Sequence, residues 1–320
     1  MHTARPRKWK FRIYRKMTSY LGWVPAPIWL AYRRARRLSC TLVGRNPLGR
    51  RVTPLSWSQE LQSVRGLIRA LTDPPYIAER TKDGPELWKT VLGPIWTPPG
   101  AGSEYVGRVA AEMLANVYDL GALRLRTSEP VVLDCGANVG FFARFALQSG
   151  AAHVVAFEPS PGNLVCLRQN LEREIAAGKV TIIEKGVWDS DAILSFSTSN
   201  KANPGAHHIS VDGMGDTQIP VTAIDLVCER LNLTRVDYLK LDVEGSEVRA
   251  VRGAARIIRE FHPGLCIATE HTDDVFANAV AVLETICDID SSYSCVCTEA
   301  HIYSSPSHGV VLTPYSLLFC

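Results

Sequence analysis

The stretch Val131-Val132-Leu133-Asp134-Cys135-Gly136-Ala137-Asn138-Val139-Gly140 decides the fold. Its apolar residues form a short strand, Asp134 ends that strand, and Gly136 lets the chain turn tightly. Residues 138–148 then read as a helix that Gly150 stops. A strand, a glycine turn and a helix in this order open a doubly wound α/β sheet, whose ligands bind beyond the carboxyl ends of the strands. Dinucleotide-binding turns require Gly-x-Gly-x-x-Gly. Here Asn138 stands at the second glycine and Phe141 at the third. The turn therefore suits a small carboxylate better than a pyrophosphate, which disfavours a nicotinamide oxidoreductase. Gly140 lets the helix pack close to the strand, and the first N–H groups of that helix face an anionic group.

Downstream, strand and helix signals alternate, which predicts a largely parallel sheet with helices on both faces. His153–Phe157 is a strand ended by Glu158-Pro159, an acid placed to bond both hydroxyls of a ribose. Val180–Val187 is a third strand, running into Val187-Trp188-Asp189. An aromatic beside an acid sandwiches adenine and accepts from its amine; core packing of Trp188 is the alternative. Residues 191–221 break the rhythm and read as an inserted hairpin or lid, with His207 and His208 as candidates for substrate contact.

The fourth strand, Tyr238–Val243, carries the most unusual pattern. Alternation puts Lys240, Asp242 and Glu244 on one face and Leu239, Leu241 and Val243 on the other. Internal parallel strands normally read as continuous apolar runs, and buried charges are costly unless paired. An ion pair of Lys240 with Asp242 or with Glu244 accounts for the pattern structurally; a reaction centre accounts for it functionally. The fifth strand, Leu265–Thr269, ends in Glu270-His271, and a histidine titrating near neutrality is a candidate general base. No bound metal is expected, Asp242, Glu244 and Glu270 as oxygen ligands being the weaker alternative. A helix at 275–286 and strands near 293–298 and 308–318 complete this part.

Working back toward the N-terminus, residues 104–121 read as a helix, 73–102 as a Pro- and Gly-rich loop or small-strand region, and 56–71 as another helix. Residues 1–59 hold 14 Lys or Arg and no acid, although the whole chain carries only +3. Aromatics such as Trp9, Tyr14 and Trp23 lie among these charges. A basic arm on an acidic body is expected either to remain solvated or to touch anionic membrane. Without a recognition module, nucleic acid is not an expected partner. No run reaches the roughly 20 apolar residues that span a bilayer. The nine cysteines form no CxxC pair and read as reduced thiols, which with the other signals predicts a cytoplasmic protein, peripheral to membrane if the arm docks. Three segments follow: the basic arm at 1–52, a helical and loop extension at 53–127, and the α/β domain at 128–320.

The run VVLDCGANVGFFARFA, AFEPSPGNLVCLRQNL, KLDVEGSEVRAVRGA and ATEH resembles the FkbM family of methyltransferases that use S-adenosylmethionine (SAM), from about residue 128 to 275. Cys135 stands where that family usually has Val or Ile. The resemblance implies a Rossmann-like class I methyltransferase fold with a seven-stranded, mostly parallel sheet. It implies that Asp134, Gly136, Ala137, Asn138 and Gly140 hold the amino-acid part of SAM. Glu158 and Pro159 would hold the ribose, and Val187, Trp188 and Asp189 the adenine. Its implied activity is O-methylation of a hydroxyl on a sugar, glycolipid or polyketide-like small molecule. On that reading Asp242 or His271 accepts the proton or orients the acceptor, with Lys240 and Glu244 orienting. The alternative is a methyltransferase-like binding protein without catalysis that acts through its basic arm.

Overall fold

The computed structural model describes residues 52–54, 73–82, 84–114, 118, 128–197, 208–209, 217–272, 274–297, 300–305, 309–314 and 316–319. The basic arm before residue 52, the helix expected at 56–71 and His207 lie outside them.

In chain order, the strands are β1 (Val52–Pro54), β2 (Tyr76–Arg80), β3 (Glu86–Thr90), β4 (Gly93–Thr97), β5 (Val131–Cys135), β6 (His153–Phe157), β7 (Val180–Ile183), β8 (Gly186–Trp188), β9 (Ala192–Ser197), β10 (His208–Ile209) and β11 (Thr217–Ala223). There follow β12 (Tyr238–Leu241), β13 (Gly264–Ala268), β14 (Cys295–Cys297), β15 (Ala300–Ser305), β16 (Gly309–Pro314) and β17 (Ser316–Phe319). The helices are α1 (Ser103–Leu114), α2 (Phe141–Gln148), α3 (Pro161–Asn170), α4 (Glu172–Ala176), α5 (Ile224–Arg230), α6 (Glu247–Arg252), α7 (Ala255–Phe261) and α8 (Val275–Ile289).

The main sheet has the order β1-β14-β17-β13-β12-β5-β6-β7. All its pairs are parallel except those of β17, which runs antiparallel to β13 and β14. The sheet is Rossmann-like as expected but has eight strands rather than seven, with β1 at the edge beside β14. The strand order reverses direction between β5 and β12, which is where such a sheet opens a crevice.

Each central strand feeds two cores because successive side chains point to opposite faces. Leu133, Phe157, Leu239, Leu241 and Ile267 face one core, with Ile257, Phe276 and Val282 of the helices. Val132, Val154, Ala156 and Tyr238 face the other, with Phe142 of α2 and Val106 and Met113 of α1. Cys135, Cys166, Cys228, Cys266 and Cys295 are buried.

Four further expectations change. The stretch 180–187 is two strands: β7 closes the main sheet, and β8 belongs to a second sheet of order β10-β9-β11-β8, which takes in the strands described within the 191–221 insertion. The fourth strand ends at Leu241, so Asp242 and Glu244 leave the sheet, and Glu244 turns through a left-handed conformation (φ 53°). Residues 76–97 narrow from a loop or small-strand region to an antiparallel three-stranded sheet. Its strands are joined by a tight turn at Gly93 (φ 99°) and bridged by the Trp88 indole donating to Thr97 Oγ1 at 3.1 Å. Helix α1 is described over Ser103–Leu114, and Tyr118 already lies in a turn, short of the end expected at 121. No described helix is long and apolar enough to cross a membrane.

Candidate functional site

The turn after β5 is shaped mainly by main-chain hydrogen bonds. The N–H groups of Gly136 and Ala137 both donate to the Phe157 carbonyl, at 3.0 and 2.9 Å, which joins the ends of β5 and β6. Gly136 (φ 79°) has no alternative residue: a Cβ there would sit 1.9 Å from the Asp242 carbonyl oxygen. The close approach that requires glycine is thus to the chain leaving β12. Gly140 (φ 91°) serves the next contact, since a Cβ would lie 2.8 Å from Leu167 of α3. Between them Asn138 adopts φ 52°, a left-handed conformation that Asn tolerates better than most residues.

Glu158 is buried at the end of β6. Its Oε1 accepts from Ser160 N at 2.8 Å and from Asn163 Nδ2 at 3.2 Å, and its Oε2 accepts from Asn138 N at 2.8 Å. A carboxylate offers roughly four acceptor positions, so this one has room for about one more donor rather than for two ribose hydroxyls. Burial raises its pKa to about 7 against the pull of those three hydrogen bonds. Pro159 follows, half-buried, and Ser160 leads into α3.

Beneath the turn lies a buried ion pair. Lys240 Nζ is 3.0 Å from Asp134 Oδ1 and also donates to the Gly136 carbonyl at 2.9 Å. Neither Asp242 nor Glu244 is its hydrogen-bonded partner, which corrects the pairing expected along the strand. Register explains it: Lys240 is directly opposite Asp134 across β12 and β5, on the same face. The ammonium also sits 5.5 Å from the ring centre of Phe142 and 5.8 Å from that of Tyr118. Burial opposes its charge, but the carboxylates of Asp134 and Asp242 outweigh it and raise the Lys240 pKa. The other oxygen of Asp134, Oδ2, is buried without a hydrogen-bond partner.

Across the crevice, His271 bridges two carboxylates. Its Nε2 is 2.8 Å from Asp242 Oδ1 and its Nδ1 is 3.0 Å from Glu244 Oε2. Both neighbours accept, so both ring nitrogens must carry protons and His271 is an imidazolium. Burial works against that charge, but the hydrogen bonds of Asp242 and Glu244 raise its pKa well above the usual 6.5. Burial likewise works against ionised Asp242, yet His271 and Lys240 hold it far below the ordinary carboxylate range. The Asp242 side chain stays 31% exposed, so its carboxylate remains accessible. Next to the cluster, Glu247 is fully buried, with Oε1 accepting from Gly245 N at 3.0 Å and Oε2 unpartnered.

Val187, Trp188 and Asp189 lie at the end of β8 in the second sheet. Arg249 of α6 donates to Asp189 at 2.6 Å and lies 5.3 Å over the Trp188 ring. Asp189 is therefore already engaged, and no described hydrogen bond joins these residues to the turn or the histidine cluster. His208 sits on β10, where only its backbone is described. Among the described residues no His, Cys, Asp and Glu cluster has the arrangement of a metal site.

The sequence reading missed the polar face of α1. Tyr105, Arg108 and Glu112 follow a helical spacing along one side, while Val106, Ala110 and Met113 are buried on the other. Tyr105 reaches Asn138 Oδ1 at 2.9 Å. Arg108 pairs with Glu112 at 2.9 Å and lies 5.7 Å over the Tyr105 ring. The spacing was visible in the sequence, but nothing local placed that helix against the crevice.

Residues 134–291 match the family described as Methyltransferase FkbM domain. The chain is 31% identical over 144 residues to the hexuronic acid methyltransferase AglP of Haloferax volcanii, covering 43% of this chain and 58% of that one. It is 32% identical over 154 residues to the 31-O-demethyl-FK506 methyltransferase FkbM of Streptomyces tacrolimicus, covering 38% and 58%. A crystal structure of methyltransferase FkbM from Methylobacillus flagellatus KT aligns over 60% of this chain and 44% of its own, at 21% identity and a TM-score of 0.44. The chain thus spans less than two thirds of the length of AglP and of the Streptomyces protein.

Proposed function

Because the chain carries a methyltransferase FkbM domain over residues 134–291, we propose that it is a SAM-dependent O-methyltransferase acting on a hydroxyl of a sugar, glycolipid or polyketide-like small molecule. The observation that carries this reading is a juxtaposition. The glycine turn after β5 lies directly against the backbone of Asp242, whose ionised and accessible carboxylate is clamped by His271.

The residues fit a bound SAM in two respects. Asp134 Oδ2 is a buried acceptor in need of a donor, which an ammonium group satisfies. Glu158 retains capacity for about one hydroxyl. Gly136, Ala137, Asn138 and Gly140 would shape the surface for the amino-acid part, with Pro159 turning the chain beside the ribose. Val187, Trp188 and Asp189 would border the adenine, Asp189 only by sharing its carboxylate with Arg249.

Bound SAM supplies a methyl group on a sulfonium, already a strong electrophile, so positioning can do much of the catalytic work. Asp242 accepts a hydrogen bond from the acceptor hydroxyl and aims its oxygen. His271, protonated on both nitrogens, fixes that carboxylate and is not itself the base. Because Asp242 is a weak base in this clamp, its role would be orientation: it would hold the acceptor hydroxyl toward the methyl group that SAM supplies, whose C–S bond would give way to the new C–O bond, leaving S-adenosylhomocysteine, while the hydroxyl proton passes to solvent. Lys240 and Asp134 hold the floor of the turn, and Glu244 completes the clamp. The relatives' names, one for a hexuronic acid and one for 31-O-demethyl-FK506, support a hydroxyl on a sugar or polyketide-like acceptor.

The test has two stages. Calorimetry with SAM is expected to show binding near micromolar; no binding would favour a methyltransferase-like binding protein instead. Incubation with labelled SAM and a lipid or metabolite extract then identifies the methylated product. On that product Asp242→Asn is expected to lower turnover by about 100-fold, through misplacement of the acceptor hydroxyl. Undiminished turnover would remove Asp242 from the mechanism.

A further inference from the structure

We infer, resting on the SAM-binding reading above, that Tyr105 of α1 is a positioning residue for the donor turn, so that the extension forms part of the donor site. The argument starts from Asn138, the left-handed residue at the centre of that turn. Its Oδ1 receives the Val139 N–H at 2.8 Å and faces the Tyr105 hydroxyl at 2.9 Å. A backbone N–H can only donate, so the side-chain atom it meets is the oxygen, and Tyr105 must donate to that oxygen as well. Burial raises the pKa of the Tyr105 hydroxyl well above its ordinary value, so the proton stays in place. The backbone N–H of Asn138 in turn donates to Glu158 Oε2 at 2.8 Å. One line of hydrogen bonds therefore runs from helix α1, through the turn, to the acid at the end of β6.

A second anchor reaches the neighbouring residue from the same extension. The Asn170 side chain accepts from Trp96 N at 2.7 Å and donates to Trp96 O and to Val139 O, both at 2.8 Å. Asn170 thus behaves as a strand partner for β4 while gripping the Val139 carbonyl. Residues 138 and 139 are held by the extension on one side through Tyr105 and on the other through Trp96. The extension sets the shape of the donor turn without contributing a residue to the strand ends themselves.

Calorimetry with SAM and with S-adenosylhomocysteine on the full chain tests this. Tyr105→Phe keeps the ring and its packing but removes the donated proton; both ligands are expected to bind about 5-fold more weakly. The melting temperature is expected to stay within about 2 °C of wild type, consistent with loss of one partly exposed contact. Asn138→Gly tolerates the left-handed backbone and removes Oδ1. In that background Tyr105→Phe is expected to have no further effect, a coupling that a purely structural role for the ring would not produce. Wild-type affinity in Tyr105→Phe, or an equal loss with and without Asn138, would overturn the inference while leaving the SAM-binding reading standing. A wild-type chain that binds neither ligand would overturn both.

Discussion

The turn at 134–140 and the cluster formed by Asp242, Glu244 and His271 are built from different materials, although a single backbone contact at Gly136 separates them. The turn is held by main-chain donors, left-handed residues and an ion pair sealed beneath it, with Asp134 fully buried. The cluster is joined chiefly by side-chain charge, with the Asp242 N–H donating to the Cys135 carbonyl at 3.1 Å, and its carboxylates stay 31% and 26% exposed. The difference teaches a division of labour. A surface that must fit a ligand of fixed shape is made rigid by backbone. On the proposed reading, the group that meets the acceptor is left reachable, and its neighbours set both its charge and its position.

The largest effect should come from breaking the sealed side. Lys240→Met leaves Asp134 as an uncompensated buried carboxylate and is expected to cost about 3–5 kcal/mol, read from the urea midpoint. Adding Asp134→Leu should recover most of that loss, because a matched apolar pair replaces the ion pair. A single variant with an unchanged midpoint would mean that the two regions do not differ as described.

The open side should fail more gently and through pH. The His271 pKa is raised in the folded state, so its contribution to stability is complete below 6.5 and fades as pH climbs through its folded value. Wild type is expected to lose about 2 kcal/mol on the alkaline side that His271→Gln does not lose, seen in denaturation midpoints against pH. Parallel curves for the two proteins would place the histidine outside the clamp.

The smallest effect returns to the turn. Glu158, raised by burial to about 7, gains a proton as pH falls through that value. Between about 7 and the ordinary 4.5 the folded state then binds that proton more tightly than the unfolded one, so stability rises as pH falls while donor affinity drops. Donor binding is expected to weaken by up to about tenfold below pH 7, and the dependence should vanish in Glu158→Gln. Calorimetry across that range decides it.

Much of this was legible beforehand. The strand, turn and helix at 131–148 and the acids closing β6 and β13 follow from local apolar runs and glycine placement, which report on backbone directly. The Lys240 partner was not legible, because the pairing crosses 106 residues and depends on β12 lying beside β5. Alternation along 238–244 was read too far, since a strand pattern carries no mark of where the strand stops. The break between β7 and β8 is marked in the sequence by Glu184-Lys185-Gly186, but the change of sheet is not, because it depends on β8 pairing with β11.

The sequence by itself determined the doubly wound sheet, the turn whose glycines depart from the dinucleotide pattern and the identity of the acids at the strand ends. These depend on neighbours a few residues apart. Only the tertiary structure decided what each acid does: Asp134 balances a lysine, Glu158 grips its own loop, Asp242 is clamped by a protonated histidine, and Asn138 is held by a tyrosine from the extension. Charge state and hydrogen-bond capacity are set by partners distant in the chain, and those partners are known only once the strands have taken their order.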